Sequence, residues 1–224
     1  MVDTLLKHRE KAMQSSVLQT LGLHADLDGP LDKASGSRKK IVAQPVRPYA
    51  VLTLHRPSNV DHPKTLKPIL NALKVIGKDL PVVFPAHPRT RTRLADFGFQ
   101  RYFANTLSGS QADVGRSGLY CVDPLSYLDF LCLAAHASLV LTDSGGIQEE
   151  TTILGVPCVT IRENTERPIT VTQGTNVLAG VSTPSIIGHA EQQLGKRPKR
   201  IKPKYWDGKA GARIVKILSE RVRG

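Results

Sequence analysis

The stretch LTDSGGIQEE, residues 141–150, decides the fold. The apolar run SLVLTD (138–143) reads as a buried strand, and a helix follows from the double glycine to Leu154. A helix opened by Gly145 and Gly146 points free backbone N–H groups and the positive end of its dipole outward. Glycine lacks the Cβ that would hold an approaching phosphate off the backbone, and Ser144 adds a hydroxyl donor. This is a seat for a diphosphate. Glu150, between one and two turns along the helix, is placed for its carboxylate to grip the vicinal hydroxyls of a ribose. Taken alone, Ser-Gly-Gly is also an ordinary turn and cap, and neither the P-loop nor the GxGxxG spacing is present.

The same punctuation recurs on both sides of this stretch. YAVLTL (49–54), PVVFPA (81–86), GLYCVD (118–123) and PCVTIR (157–162) read as further strands. Helices are expected over 2–21, 63–77, 88–98, 126–137 (with Ser126 as cap) and 207–222. Residues 24–48, rich in Asp, Gly, Pro, Ser, Lys and Arg, read as a long surface connection. Short apolar strands alternating with helices imply right-handed crossovers and a parallel sheet covered on both faces. The expected fold is a Rossmann-like doubly wound α/β domain without internal repeats.

Such sheets bind ligands at the carboxyl ends of their strands. His55 and Arg56 follow the first strand; His87, Arg89, Arg91 and Arg93 follow the second. Asp123, Pro124 and Leu125 follow the third, Asp143-Ser144-Gly145-Gly146 the fourth, and Arg162, Glu163 and Arg167 the fifth. Each has a bland reading: a lone histidine is more often a satisfied buried side chain, and alternating arginines make a wet helix face. Their recurrence at five strand ends points to a shared rim with chemistry.

Lysine and arginine outnumber the acids 31 to 19, a net charge of +12, which favours anionic partners such as nucleotides, nucleic acids or phosphorylated sugars. Part of the excess lies in KRPKRIKPK (196–204), read as a solvated linker; as a nucleic-acid patch it lacks aromatic residues for base stacking. Three cysteines, Cys121, Cys132 and Cys158, show no CxxC spacing. That argues against a disulfide framework and a zinc site, and it suits a reducing cytoplasm. No apolar run is long enough to span a membrane, and the amphipathic, charged first residues are unlike a secretory signal.

Five segments, TLHRPSNVD (53–61), FPAHPRTRTRL (84–94), DPLSYLDFLCL (123–133), LTDSGGIQEETTILGVPCVTIRENTERPITVTQGTNVLAG (141–180) and WDGKAGARIV (206–215), resemble the non-hydrolysing UDP-N-acetylglucosamine 2-epimerases in order and spacing along nearly the whole chain. The resemblance implies the second, UDP-binding domain of a two-domain GT-B fold. It implies interconversion of UDP-GlcNAc and UDP-ManNAc through elimination and re-addition of UDP, with no metal or redox cofactor. By motif it places Ser144, Gly145 and Gly146 on the diphosphate, Glu150 on the ribose and Phe130 stacked on uracil. It sets the Leu125 backbone at the uracil edge, Arg167 by the phosphates, His87 by the nucleotide and His55 as the catalytic histidine near the diphosphate.

Two departures qualify that picture. The family's first domain, with its GTRPE-like opening and the carboxylates assigned to the C2 proton, has no counterpart here, so residues 1–22 are expected to be the linking helix, 23–48 a loop and 49–224 the UDP-binding domain. HRPSN stands where allosterically activated members read closer to HRREN, so that regulation is not expected. Expected partners are UDP or UDP-GlcNAc, a separately encoded or missing first domain, and a second copy in a homodimer. The rival functions are the hydrolysing 2-epimerase, a GT-B glycosyltransferase, a non-catalytic nucleotide-sugar binding half and a polyanion binder.

Overall fold

A computed structural model describes residues 1–24, 45–107, 113–195 and 203–222. Most of the expected 24–48 connection and of the basic 196–204 run lies outside these residues; at the edge of the former, His24 and Val46 form an isolated antiparallel bridge. In chain order the elements begin with α1 (Val2–Ala12), α2 (Val17–Thr20), β1 (Ala50–Thr53), α3 (Pro57–Val60), α4 (Pro63–Ile76) and β2 (Val82–Pro85). They continue with α5 (Pro88–Asp96), β3 (Asn105–Leu107), β4 (Leu119–Val122), α6 (Tyr127–His136), β5 (Leu139–Thr142) and α7 (Gly145–Leu154). The last are β6 (Cys158–Thr160), α8 (Pro168–Thr172), β7 (Asn176–Leu178), α9 (Thr183–Leu194) and α10 (Ala210–Val222).

The strands form one seven-stranded sheet in the order β3-β4-β2-β1-β5-β6-β7, and every pairing is parallel. The doubly wound α/β fold is therefore as expected. Alternating residues of β1 serve opposite faces. Ala50, Leu52 and Leu54 join a cluster with Leu66, Ile69, Leu70 and Leu73 of α4 and Ile186 and Ala190 of α9. Tyr49 and Val51 join the other cluster, with Leu5 and Ala12 of α1 and residues 131–134 of α6. Tyr49 is fully buried and donates its hydroxyl to the Leu133 carbonyl at 2.6 Å. Burial pushes that phenol far above its ordinary pKa.

The structure departs from the sequence reading in several places, among them the twelve-residue α9, which was not expected. The helix expected over 2–21 is broken between Ala12 and Val17, because the Ser15 hydroxyl accepts from the Val17 N–H at 3.1 Å and donates to Asp129 at 2.5 Å. A serine that satisfies the backbone with its own side chain competes with the helix ladder. Two strands, β3 and β7, were not expected; each is three residues long and occupies a sheet edge. The closing helix begins at Ala210 rather than 207, since Asp207 accepts from the Lys209 N–H at 3.2 Å, closing a turn ahead of it.

Candidate functional site

From β1 the chain fills one side of the sheet through β2, β3 and β4, then crosses to β5 on the other side of β1. β1 and β5 lie side by side in register from Ala50 opposite Leu139 to Thr53 opposite Thr142. Their carboxyl ends flank the topological switch point, where doubly wound sheets open a ligand crevice. The two segments singled out in the sequence, HRPSN and DSGG, leave the sheet at that point.

Asp143 joins them. Its fully buried carboxylate accepts from the backbone N–H groups of His55 at 3.1 Å and Arg56 at 2.9 Å, and from Asn59 Nδ2 at 3.3 Å. The fourth partner is His55 Nδ1, at 2.9 Å from Oδ1. A carboxylate offers about four acceptor directions, and protein donors fill them here. Arg56 Nε also donates to the Asp143 carbonyl at 2.9 Å, while its Nη2 reaches Glu166 at 3.2 Å. The hydrogen bond to Asp143 holds the His55 imidazole above its ordinary pKa of 6.5 against the opposing effect of partial burial; the Asp143 charge adds to the rise and Arg56 opposes it.

Like α1, α4 and α9, α7 begins without a side-chain cap. Ser144 has the extended backbone of an N-cap (φ −89°, ψ 128°), yet its side chain makes no capping hydrogen bond. In α6 the equivalent Ser126 accepts from the Asp129 N–H at 3.2 Å, and in α5 His87 Nδ1 accepts from the Arg89 N–H at 3.3 Å. The donors at the first turn of α7 are thus left without a side-chain acceptor, at the positive end of a ten-residue helix dipole. A Cβ at Gly145 would meet Glu166 Oε2 at 3.6 Å and Arg167 Cγ at 3.9 Å, ordinary contacts; one at Gly146 would meet the flexible end of Met1 at 2.5 Å. No packed backbone demands these glycines, and the side chain lying over Gly146 is the flexible Met1.

Glu150 lies farther along α7, only 5% exposed, and accepts from Tyr127 Oη at 3.3 Å. Burial raises its pKa, although the tyrosine hydrogen bond opposes this. Tyr127 is in turn pushed up to about 12 by burial and by Glu150. His8 of α1 packs edge-on against the Tyr127 ring, 6.3 Å between centroids. Tyr127 and Phe130 are three residues apart on α6 and so share a face. Phe130 and Leu125, both half-buried, pack at the margin of the cluster beneath α6. Sequence reasoning missed Tyr127: its partner is 23 residues away, and no local spacing links them.

The arginines of the rim are paired. Arg167 precedes α8 and binds Glu149 at 2.6 Å. Arg162 forks onto Glu166 with two contacts of 2.8 Å, which holds that carboxyl well below its usual range. Arg89 and Arg93 share Asp61, and Arg91 crosses to Asp123 at 2.8 Å. The structure thus brings His55, Ser144, Gly145 and Gly146 together, with Glu150 along α7 and Arg167 beside Gly145. His87 stands one strand away, at the end of β2.

A parallel sheet with a helix starting at its switch point defines a Rossmann-like α/β domain. The family model described as UDP-N-acetylglucosamine 2-epimerase matches residues 24–219, so the chain belongs to that family. It is 42% identical over 173 residues to the UDP-N-acetylglucosamine 2-epimerase of Methanocaldococcus jannaschii, covering 76% of this chain and 44% of the relative. It is 36% identical over 173 residues to the UDP-2,3-diacetamido-2,3-dideoxy-D-glucuronate 2-epimerase of Pseudomonas aeruginosa, covering 77% of this chain and 44% of that one. Among solved structures, the Methanocaldococcus jannaschii UDP-GlcNAc 2-epimerase in complex with UDP-GlcNAc and UDP superposes with a TM-score of 0.75 at 34% identity, covering 98% of this chain and 52% of that one. The Neisseria meningitidis UDP-GlcNAc 2-epimerase bound to UDP-GlcNAc gives 0.71 at 25% identity, with 98% and 53% covered. The chain spans about half the length of the curated relatives it matches.

Proposed function

We propose that this chain is the UDP-binding half of a UDP-GlcNAc 2-epimerase, taking UDP and UDP-GlcNAc at the switch point between β1 and β5. The observation that carries this reading is the place of the α7 N-terminus: Ser144-Gly145-Gly146 open that helix at the carboxyl end of β5, beside β1 at the switch point. Its hydroxyl and the N–H groups of Gly145 and Gly146 serve the diphosphate, Glu150 the ribose, Phe130 and the Leu125 backbone the uracil, and His87 the nucleotide. His55 acts as the catalytic group, stabilising charge on the departing UDP. Arg167 assists the phosphates once it turns from Glu149. The Pseudomonas aeruginosa relative acts on a different UDP-sugar by name, which fits a half that grips the UDP part common to both.

The other half of the cleft comes from a first domain like that of the relatives, with residues 1–22 as the link. α10 supports this: it buries none of its own residues and leaves Ile214, Val215, Ile217 and Leu218 more than half exposed. An apolar helix face of this kind calls for a covering partner. Calorimetry with UDP on the purified chain tests the reading. Ser144→Ala and Glu150→Ala should each weaken binding about ten- to a hundredfold, since a hydrogen bond to a charged group contributes roughly 1.5–3 kcal/mol. Unchanged affinity in both variants refutes the seat.

A further inference from the structure

The family resemblance gives a role to the histidine but none to the aspartate beside it. Asp143 stands at the end of β5, one residue before the proposed diphosphate seat, and is fully buried. A buried ionised carboxylate is costly unless paired and hydrogen-bonded, and here every partner that offsets the cost comes from the β1 loop: His55 N–H, Arg56 N–H, Asn59 Nδ2 and His55 Nδ1. With its acceptor directions filled, Asp143 has no site left to take a proton from a substrate. With Nδ1 held, His55 has one ring nitrogen left for a ligand, Nε2. The His55 side chain is 54% exposed, so a ligand can reach it.

We propose that Asp143 is a positioning residue: it fixes the His55 ring so that Nδ1 donates inward and Nε2 is presented as a proton donor to the β-phosphate of a bound nucleoside diphosphate. This rests on the assignment of the diphosphate to Gly145-Gly146. The charged groups acting on His55 are Asp143 from the end of β5 and Arg56 of its own loop, and Arg56 in turn reaches the Arg162–Glu166 pair from beyond β6. Asp143 contributes the hydrogen bond and an attractive charge, and Arg56 opposes protonation. Because Arg56 and Arg162 both bind Glu166, their positive charge is partly neutralised within the protein, leaving Asp143 as the controlling neighbour.

The test is a ¹⁵N NMR titration of His55 in the 224-residue chain, assigned with His55→Gln. In the wild type, His55 should titrate above 6.5 and, once neutral, keep its proton on Nδ1. Asp143→Asn should bring the midpoint to 6.5 or below and lower UDP affinity about tenfold. Saturating UDP should raise the wild-type midpoint further, because the diphosphate adds negative charge at Nε2. A wild-type ring that titrates at or below 6.5, or that carries its neutral proton on Nε2, overturns the proposal even if Asp143→Asn fails to fold. If calorimetry shows that UDP binds while the His55 midpoint is unmoved, the seat stands and the proposal falls. If UDP does not bind at all, the seat is wrong, and the role given to Nε2 is overturned with it.

Discussion

Glu150 faces opposite demands. Burial disfavours its charged form, yet a ribose needs it as a charged acceptor. Glu150→Gln should therefore stabilise the empty chain by about 0.5–2 kcal/mol, as replacements of strained functional groups commonly do, while weakening UDP binding. The sign with pH follows from the raised pKa. Below the unfolded value of 4.5 the carboxyl is protonated in both states, and variant and wild type differ little. As pH rises through the folded value, the wild type must ionise a buried acid and loses stability relative to the variant. Thermal melts of the pair at pH 4 and pH 8 should diverge only at the higher pH; a constant gap would locate the strain elsewhere. Glu150 was legible in the sequence as a candidate site residue, but its strain was not, because that depends on Tyr127 and the packing around α6.

Two serines at helix starts separate fold from function. Ser126 closes the first turn of α6, so Ser126→Ala should cost about 0.5–2 kcal/mol, the usual loss for a cap. Ser144 makes no capping bond, so Ser144→Ala should melt within about 0.5 kcal/mol of wild type, as surface changes away from such features do. Chemical denaturation of both variants checks this, and equal destabilisation would mean that Ser144 caps α7 in solution. Both serines look alike in the sequence, each following a strand and opening a helix. The difference lies in Thr142, whose hydroxyl accepts from the Ser144 N–H at 3.0 Å and pairs with Thr53 across β1 and β5 at 2.6 Å, a cross-strand link that no local pattern reveals. The five central strands were legible from their apolar runs, whereas β3 and β7 are too short to show a period. The break after α1 was hidden because Ser15 finds its partner, Asp129, 114 residues away.

At the scale of the whole molecule, the two core layers are shared between α4 with α9 on one face and α1, α2 and α6 on the other, and on the proposed reading they carry one wall of a cleft. Epimerisation needs one group to remove the C2 proton and another to return it from the opposite face, each within hydrogen-bond reach. Of the acids at the strand ends, Asp123, Glu149 and Glu166 are bound to arginines, Asp143 is saturated by the β1 loop, Glu150 is engaged by Tyr127, and Glu163 lies against Gly180 beyond the edge strand β7. We expect the chain alone, incubated with UDP-GlcNAc in D₂O, to place no deuterium at C2 above a no-enzyme control. Addition of a first domain from the family should restore exchange. Deuterium incorporated by the chain alone would show that one of these carboxylates is free to move a proton. The knot that Asp143 ties between the ends of β1 and β5 has a consequence for how such a two-part enzyme moves. Because the segment from His55 to Asn59 is already pinned before any nucleotide arrives, little conformational entropy remains to be lost on binding. In the proposed two-domain enzyme this half then behaves as the stationary jaw, and the opening and closing of the cleft fall to its counterpart.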